Sequence, residues 1–131
     1  MTTPPVALTI AGSDSGGAAG VQADLRTFHA HGVFGCSAIT ALTVQSTTEV
    51  RDVHVPPAAF LGAQVDIVLE DLPVDAVKTG MLATPAVVDE VARRAGAGRF
   101  PQLVVDPVMV ASSGARLLDD GAVAAYRDRL L

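Results

Sequence analysis

The chain has 131 residues, of which 50% are hydrophobic and 18% are charged, and its formal net charge at pH 7 is −5. This composition is typical of one globular domain and excludes an intrinsically disordered chain. The chain has no cluster of Lys and Arg, which argues against nucleic acid or an anionic membrane as a partner. No apolar run reaches the roughly 18 residues that a membrane span needs.

The cysteine count and the N-terminus both favour a cytoplasmic protein. Cys36 is the single cysteine, so an internal disulfide is excluded. The first five residues, Met-Thr-Thr-Pro-Pro, have no basic region, so we expect no signal peptide.

A glycine-rich stretch, Ala11–Asp24, follows the first apolar run, Val6–Ile10. The apolar run predicts a buried strand, and a helix is predicted over Gly20–His31. Glycines at positions 12, 16, 17 and 20 allow positive φ angles and close approach of the backbone to a ligand. The stretch therefore indicates a ligand site, although a tight strand-to-helix turn without a ligand is the simpler alternative.

Two common nucleotide-binding motifs are excluded in this stretch. Gly12 and Gly17 have the spacing of a Walker A loop, but Ala18 and Ala19 stand where that loop needs Lys and Ser or Thr. No three glycines have the spacing of the dinucleotide fingerprint G-x-G-x-x-G. The site is therefore expected to bind a small molecule in some other way.

The rest of the chain alternates between predicted strands and helices. The predicted elements are a strand over Cys36–Ser46, a short exposed strand or flap over Glu49–Val55, a helix from Pro56–Pro57 to Leu72, a strand over Val74–Lys78, a helix from Thr84 to Gly96, a strand over Leu103–Val105 and a helix that begins at Asp119 or Asp120. This order predicts an α/β fold with a mainly parallel sheet covered on both sides. No linker or repeat divides the chain, so residues 1–131 are predicted to belong to one domain.

Several candidate site residues lie at the carboxyl ends of predicted strands or near the start of the first helix. They are Asp24, Gln45, the turn Thr79–Met81 and Asp106. Because ligands bind at the carboxyl edge of such sheets, we expect these residues to converge on one site. The simpler alternatives are a solvated strand end for Gln45, core packing for Met81 and a turn cap for Asp106.

Four segments together resemble a known family. They are Ala11–Asp24, Cys36–Gln45, Val77–Leu82 and Val105–Met109. They resemble the hydroxymethylpyrimidine/phosphomethylpyrimidine kinases of thiamine (vitamin B1) biosynthesis, and the likeness extends from Val6 to the end of the chain. The resemblance implies a three-layer ribokinase-like fold, a homodimer, and transfer of the ATP γ-phosphoryl group to 4-amino-5-hydroxymethyl-2-methylpyrimidine and then to its monophosphate.

The resemblance also implies roles for particular residues. Asp24 and Gln45 would hold the pyrimidine, Gly12 would let the backbone approach the ring, and Val44 and Met81 would make apolar contacts with it. The chemistry agrees for the carboxamide, because an aminopyrimidine edge presents an amine donor beside a ring-nitrogen acceptor and one amide can meet both.

By the same resemblance, Asp106 would lie toward the phosphates and help to position Mg²⁺, directly or through water. The family's Gly-x-Gly-Cys turn, which supplies the presumed catalytic base and the anion hole, does not occur in this chain. We therefore expect the N-terminal part of one kinase domain, with the pyrimidine pocket but without catalytic residues or most of the ATP site.

Two other functions are compatible with the sequence. One is pyridoxal kinase, which belongs to the same superfamily. The other is a non-catalytic pyrimidine-binding module that kept the pocket and lost the ATP site.

Overall fold

The computed structural model describes residues 2–131. The elements run in the order β1 (Val6–Ser13), α1 (Gly20–Ala30), β2 (Phe34–Gln45), β3 (Val50–His54), α2 (Ala58–Asp71), β4 (Ala76–Thr79), α3 (Pro85–Gly96), β5 (Leu103–Val105), α4 (Asp120–Ala125) and a π-helical segment (Tyr126–Leu130). Within residues 2–131, no helix has both the length and the apolar character that a membrane crossing needs.

The five strands form one sheet in the order β3-β2-β1-β4-β5. The pairs β1–β2, β1–β4 and β4–β5 are parallel, and β3 runs antiparallel to β2. This confirms the predicted α/β class with a mainly parallel sheet. The segment predicted as an exposed strand or flap is β3, which lies at one edge of the sheet.

Helices cover both faces of the sheet because β1 alternates its side chains between them. Leu8 and Ile10 are fully buried in the main core with the apolar faces of α2, α3 and α4. Thr9 points to the opposite face and donates a hydrogen bond to Asp24 of α1. The sheet therefore forms the middle of three layers, with α1 alone on the face that carries Thr9.

The first strand is longer than predicted, since β1 continues through Gly12 to Ser13. Gly12 is therefore a buried strand residue and does not belong to the turn. Within the glycine-rich stretch, positive φ angles occur at Gly17 (78°) and Gly20 (60°). The predicted turn is thus confirmed, but it lies between residues 14 and 19.

The later helices begin as the sequence predicts. The Thr84 hydroxyl accepts the Val87 N–H at the start of α3, and the Asp119 carboxylate accepts the Ala122 N–H at the start of α4. These side chains satisfy backbone donors that have no partner inside the helix. The final helix differs from the prediction, because it changes from α-helical to π-helical turns over Tyr126–Leu130.

A buried arginine joins α2 to α3. The Arg94 guanidinium donates to the two Asp66 carboxylate oxygens at 3.2 and 2.8 Å and also pairs with Glu90. The Arg94 hydrogen bond and charge lower the pKa of Asp66. Burial raises the pKa of Glu90, but the hydrogen bonds and charges of Arg94 and Arg93 outweigh burial and leave that pKa below its usual value. The sequence pattern of α3 did not indicate that Arg94 is buried.

Candidate functional site

A cavity of about 250 Å³ opens at the carboxyl edge of the sheet. Its lining includes Gly12 from β1, Asp24 from α1, Gln45 from β2, Met81 after β4 and Asp106 after β5. The structure thus brings five of the six predicted site residues to one place. Their contacts with a ligand stay predictions.

The sixth predicted residue, Val44, lies elsewhere. Its side chain is 55% exposed, and it is not part of the cavity lining. The pairing of β2 with β3 shifts its register between Val44 and Gln45, so regular alternation does not decide where the Val44 side chain lies. Thr43, two residues before Gln45, lines the cavity and donates a hydrogen bond to the Ser13 carbonyl at 2.8 Å. The structure therefore places Thr43, and not the predicted Val44, in the lining of this cavity.

The cavity floor is the turn after β4, and hydrogen bonds from three elements hold it. The Gly80 N–H donates to the Ile10 carbonyl at 2.9 Å, and the buried Tyr126 hydroxyl donates to the Gly80 carbonyl at 2.8 Å. The Thr40 hydroxyl donates to the Met81 carbonyl at 2.6 Å. The floor is therefore fixed by residues of β1, β2 and the C-terminal segment.

Met81 belongs both to the core and to the cavity wall, and its contact with a ring stays a prediction. It is 7% exposed and packs in a small core cluster with Ala41 and Ala83, and it also lines the cavity. A Cβ atom at position 12 would lie only 3.0 Å from the Met81 sulfur. Glycine at position 12 therefore leaves room for Met81 at the cavity wall.

One wall of the cavity is the glycine-rich turn, which Asp14 organises. The Asp14 side chain is buried and accepts the N–H groups of Gly16, Ala18 and Ala19 at 2.8, 3.0 and 2.9 Å. Three amides offset the charge of this carboxylate and fix the path of the turn. The sequence analysis did not single out Asp14, although an aspartate that opens a glycine-rich turn is a known turn signal.

Gln45 is tied to that turn through its backbone. The Ser15 hydroxyl accepts the Gln45 N–H at 2.8 Å and donates to the Gln45 carbonyl at 2.7 Å. Among residues 2–131, the Gln45 carboxamide has no hydrogen-bond partner, and Gln45 is part of the cavity lining. The position of Gln45 is thus set by its main chain, and its amide is available to a ligand.

The Asp24 carboxylate is held by two side chains. The Thr9 hydroxyl donates to it at 2.6 Å, and the Lys78 ammonium lies 3.0 Å from each of its oxygens. Lys78 also lies 3.8 Å from an oxygen of Asp106. Lys78 is the only lysine among the nine Lys and Arg residues of the chain. The role of Lys78 was not evident from the sequence, in which Lys78 is only the last residue of a predicted strand.

Asp106 is the most exposed carboxylate of the lining, with 54% of its side chain accessible. Burial, together with the Asp106 charge, raises the pKa of Tyr126, so the Tyr126 hydroxyl stays protonated as a donor. Within residues 2–131, no three metal-binding side chains cluster. Mg²⁺ commonly uses one or two carboxylates and completes its shell with water and phosphate oxygens, and a single exposed aspartate fits that arrangement.

The family model for phosphomethylpyrimidine kinase matches residues 14–131, which is most of the chain. The chain belongs to the phosphomethylpyrimidine kinase family. This finding confirms the resemblance noted in the four sequence segments.

Individual members of the phosphomethylpyrimidine kinase family agree with the match. The hydroxymethylpyrimidine/phosphomethylpyrimidine kinase of Bacillus subtilis is 53% identical over 125 residues, which is 95% of this chain and 46% of that protein. The enzyme of the same name from Escherichia coli is 49% identical over 95% of this chain and 47% of its own length. The chain therefore spans about half the length of the curated relatives that it matches.

Solved structures show the same fold. A phosphomethylpyrimidine kinase from Clostridium difficile superimposes with a TM-score of 0.88 at 43% identity, over 96% of this chain and 55% of that one. A pyridoxal kinase from Staphylococcus aureus in complex with AMP-PCP gives a TM-score of 0.81 at 35% identity, over 99% of this chain and 46% of that one. The fold is thus that of the ribokinase-like kinases.

Proposed function

We propose that this chain forms the acceptor pocket of a kinase that phosphorylates 4-amino-5-hydroxymethyl-2-methylpyrimidine and its monophosphate in thiamine biosynthesis. The observation that carries the proposal is one cavity whose lining contains Gln45 and Asp24 together with glycines 12, 20 and 80. The names of the matched relatives support the substrate class.

The chemistry of the two side chains matches an aminopyrimidine. The Gln45 carboxamide can accept from the exocyclic amine and donate to the adjacent ring nitrogen, as a glutamine does with adenine. A carboxylate has roughly four acceptor positions, and Thr9 and Lys78 take up those of Asp24 only in part. The remaining capacity serves an amine or a hydroxyl, while Met81 offers an apolar surface to the ring.

We further propose ATP as the phosphoryl donor and Mg²⁺ as its partner ion. Structures of similar kinases in complex with AMP-PCP and with ADP support the use of ATP. Phosphoryl transfer depends mainly on positioning and on stabilisation of charge. In this chain Asp106 would hold the ion, whose charge offsets that of the phosphates, while Asp24 and Gln45 would hold the acceptor. We expect the 131 residues alone to bind the pyrimidine but to transfer phosphate weakly or not at all.

Pyridoxal kinase is the second candidate, because solved pyridoxal kinases share the fold over nearly the whole chain. Pyridoxal has no exocyclic amine beside its ring nitrogen, so it would make only one of the two hydrogen bonds that Gln45 can make with an aminopyrimidine. The aminopyrimidine is therefore the better fit. A non-catalytic pyrimidine-binding module would bind the same ligand but would not bind ATP in any context.

Calorimetry with two neighbouring variants tests the pocket. We expect Gln45→Ala to raise the Kd of the hydroxymethyl aminopyrimidine about tenfold, because a bidentate amide contact is worth about 1–3 kcal/mol. Val44→Ala is the matched control, since Val44 lies outside the cavity, and its Kd is expected to equal that of the wild type.

Equal effects of the two substitutions, or tighter binding of pyridoxal than of the aminopyrimidine, would overturn the assignment. Titration of the wild type with ATP, alone and after saturation with the pyrimidine, tests the third candidate, because ATP binding would exclude a pure binding module.

The proposed kinase would act in the cytoplasm as a homodimer, without a nucleic-acid or membrane partner. These properties stay predictions from the composition and from the family resemblance. Light scattering of the purified chain measures the dimer directly.

A further inference from the structure

The charges of the cavity raise a problem for an anionic ligand. Asp14, Asp24 and Asp106 all line it, and Lys78 is the only cation in the lining that residues 2–131 provide. Backbone amides offset the charge of Asp14, but Asp24 and Asp106 have no comparable set of amide donors. A phosphate group that enters this cavity therefore meets carboxylates unless a cation receives it, and Lys78 is the cation that the described chain itself supplies.

Lys78 lies where such a group is needed. Its ammonium nitrogen is 3.0 Å from the Asp24 oxygens at the proposed pyrimidine end, and 3.8 Å from Asp106 at the proposed phosphate end. An ammonium has three donors. The Asp24 carboxylate takes two contacts, and Asp106 is too far for a hydrogen bond, so one N–H remains for a ligand.

The surroundings of Lys78 also leave it room. A Cβ atom at position 80 would lie 3.1 Å from the Lys78 nitrogen, so Gly80 keeps space beside the ammonium. About a quarter of the Lys78 side chain is exposed. A lysine ammonium is a compact charge on a flexible stem, which lets it turn from one oxygen acceptor to another.

We propose that Lys78 is a specificity-determining residue that allows one cavity to hold a phosphomethyl ligand as well as a neutral hydroxymethyl ligand. The inference rests on the proposed function, in which the two ligands are successive acceptors. Lys78 keeps Asp24 in place when the ligand is neutral, and it donates its free N–H to the phosphate when the ligand is the monophosphate.

The test compares the two ligands by calorimetry on the wild type, Lys78→Met and Lys78→Arg. Lys78→Met is expected to weaken both ligands, because Asp24 loses a partner, but to weaken the monophosphate about tenfold more than the alcohol. Lys78→Arg keeps the charge and is expected to restore most of that difference. Added KCl is expected to weaken the monophosphate more than the alcohol in the wild type, and this excess is expected to disappear in Lys78→Met.

The possible failures are distinguishable. Equal weakening of both ligands in Lys78→Met would show that Lys78 acts only through Asp24 and would overturn the inference while the proposed function stands. The salt series on the wild type gives an answer even if Lys78→Met does not fold, because an equal salt effect on the two ligands would also overturn it. A wild type that binds neither pyrimidine would overturn the proposed function, and the inference with it.

Discussion

Replacement of Gly20 by alanine is expected to lower the free energy of unfolding by about 3 kcal/mol and to distort the cavity. Gly20 begins α1 with a φ of 60°, which costs an L-residue free energy. The added Cβ would also overlap the Gly12 carbonyl oxygen and lie 3.2 Å from the Asp14 nitrogen. Because these are backbone atoms, the strand and the turn must move apart, and both line the cavity.

Gly98→Ala is the matched control for Gly20→Ala. Gly98 has a similar φ of 69°, but nothing lies within 4 Å of a Cβ built there. Substitution of Gly98 is therefore expected to lower the free energy of unfolding only by the cost of an L-residue at positive φ, about 1 kcal/mol. Urea unfolding of the two variants measures the difference, and equal losses would contradict the close contact between α1 and β1.

Replacement of Arg94 by methionine is expected to lower the free energy of unfolding by about 3 kcal/mol, because it leaves Asp66 and Glu90 without their shared cation. Arg93→Met is the control, since Arg93 is 65% exposed and pairs with Glu90 only at the surface. We expect a change of less than about 0.5 kcal/mol for this neighbour.

The Arg94 effect is also expected to depend on pH. The pKa values of Asp66 and Glu90 are lowered in the folded protein. Their pairing therefore stabilises the fold fully above the unfolded-state values, at about pH 4, and this stabilisation is lost as pH falls through the lower folded-state values. Unfolding measured from pH 7 to pH 3 should show the wild type and Arg94→Met converging in acid, and a constant difference would contradict this role.

The sheet and its carboxyl edge could be predicted because apolar residues recur with a different period in buried strands than in amphipathic helices. The end of β1 could not be predicted, because a glycine at position 12 is typical of a turn and the residues that pack against it are not evident from the sequence. In the folded chain its missing side chain makes space for Met81. The π-helical turns at Tyr126 were not predicted either, since the apolar spacing there also fits an α-helix.

The site was predicted best where a residue's role follows from its position along a strand or helix. Gln45 ends β2 and Asp24 lies near the start of α1, and the parallel sheet brings the two together. Val44 was assigned by resemblance, but in the structure it is 55% exposed and lies outside the cavity lining. Lys78 and Thr9 could not be identified as partners of Asp24, because their contacts join segments far apart in the sequence.

The most direct test of the proposed pocket is an amide NMR titration of the 131-residue chain with 4-amino-5-hydroxymethyl-2-methylpyrimidine. We expect the largest shift changes at the cavity amides of Gly12, Gly20, Gln45 and Gly80, with little change at Gly98, which follows the C-terminal end of α3 and does not line the cavity. Saturable changes confined to those positions would support an acceptor pocket between α1 and the sheet edge. No saturable change, or changes centred away from this cavity, would contradict it.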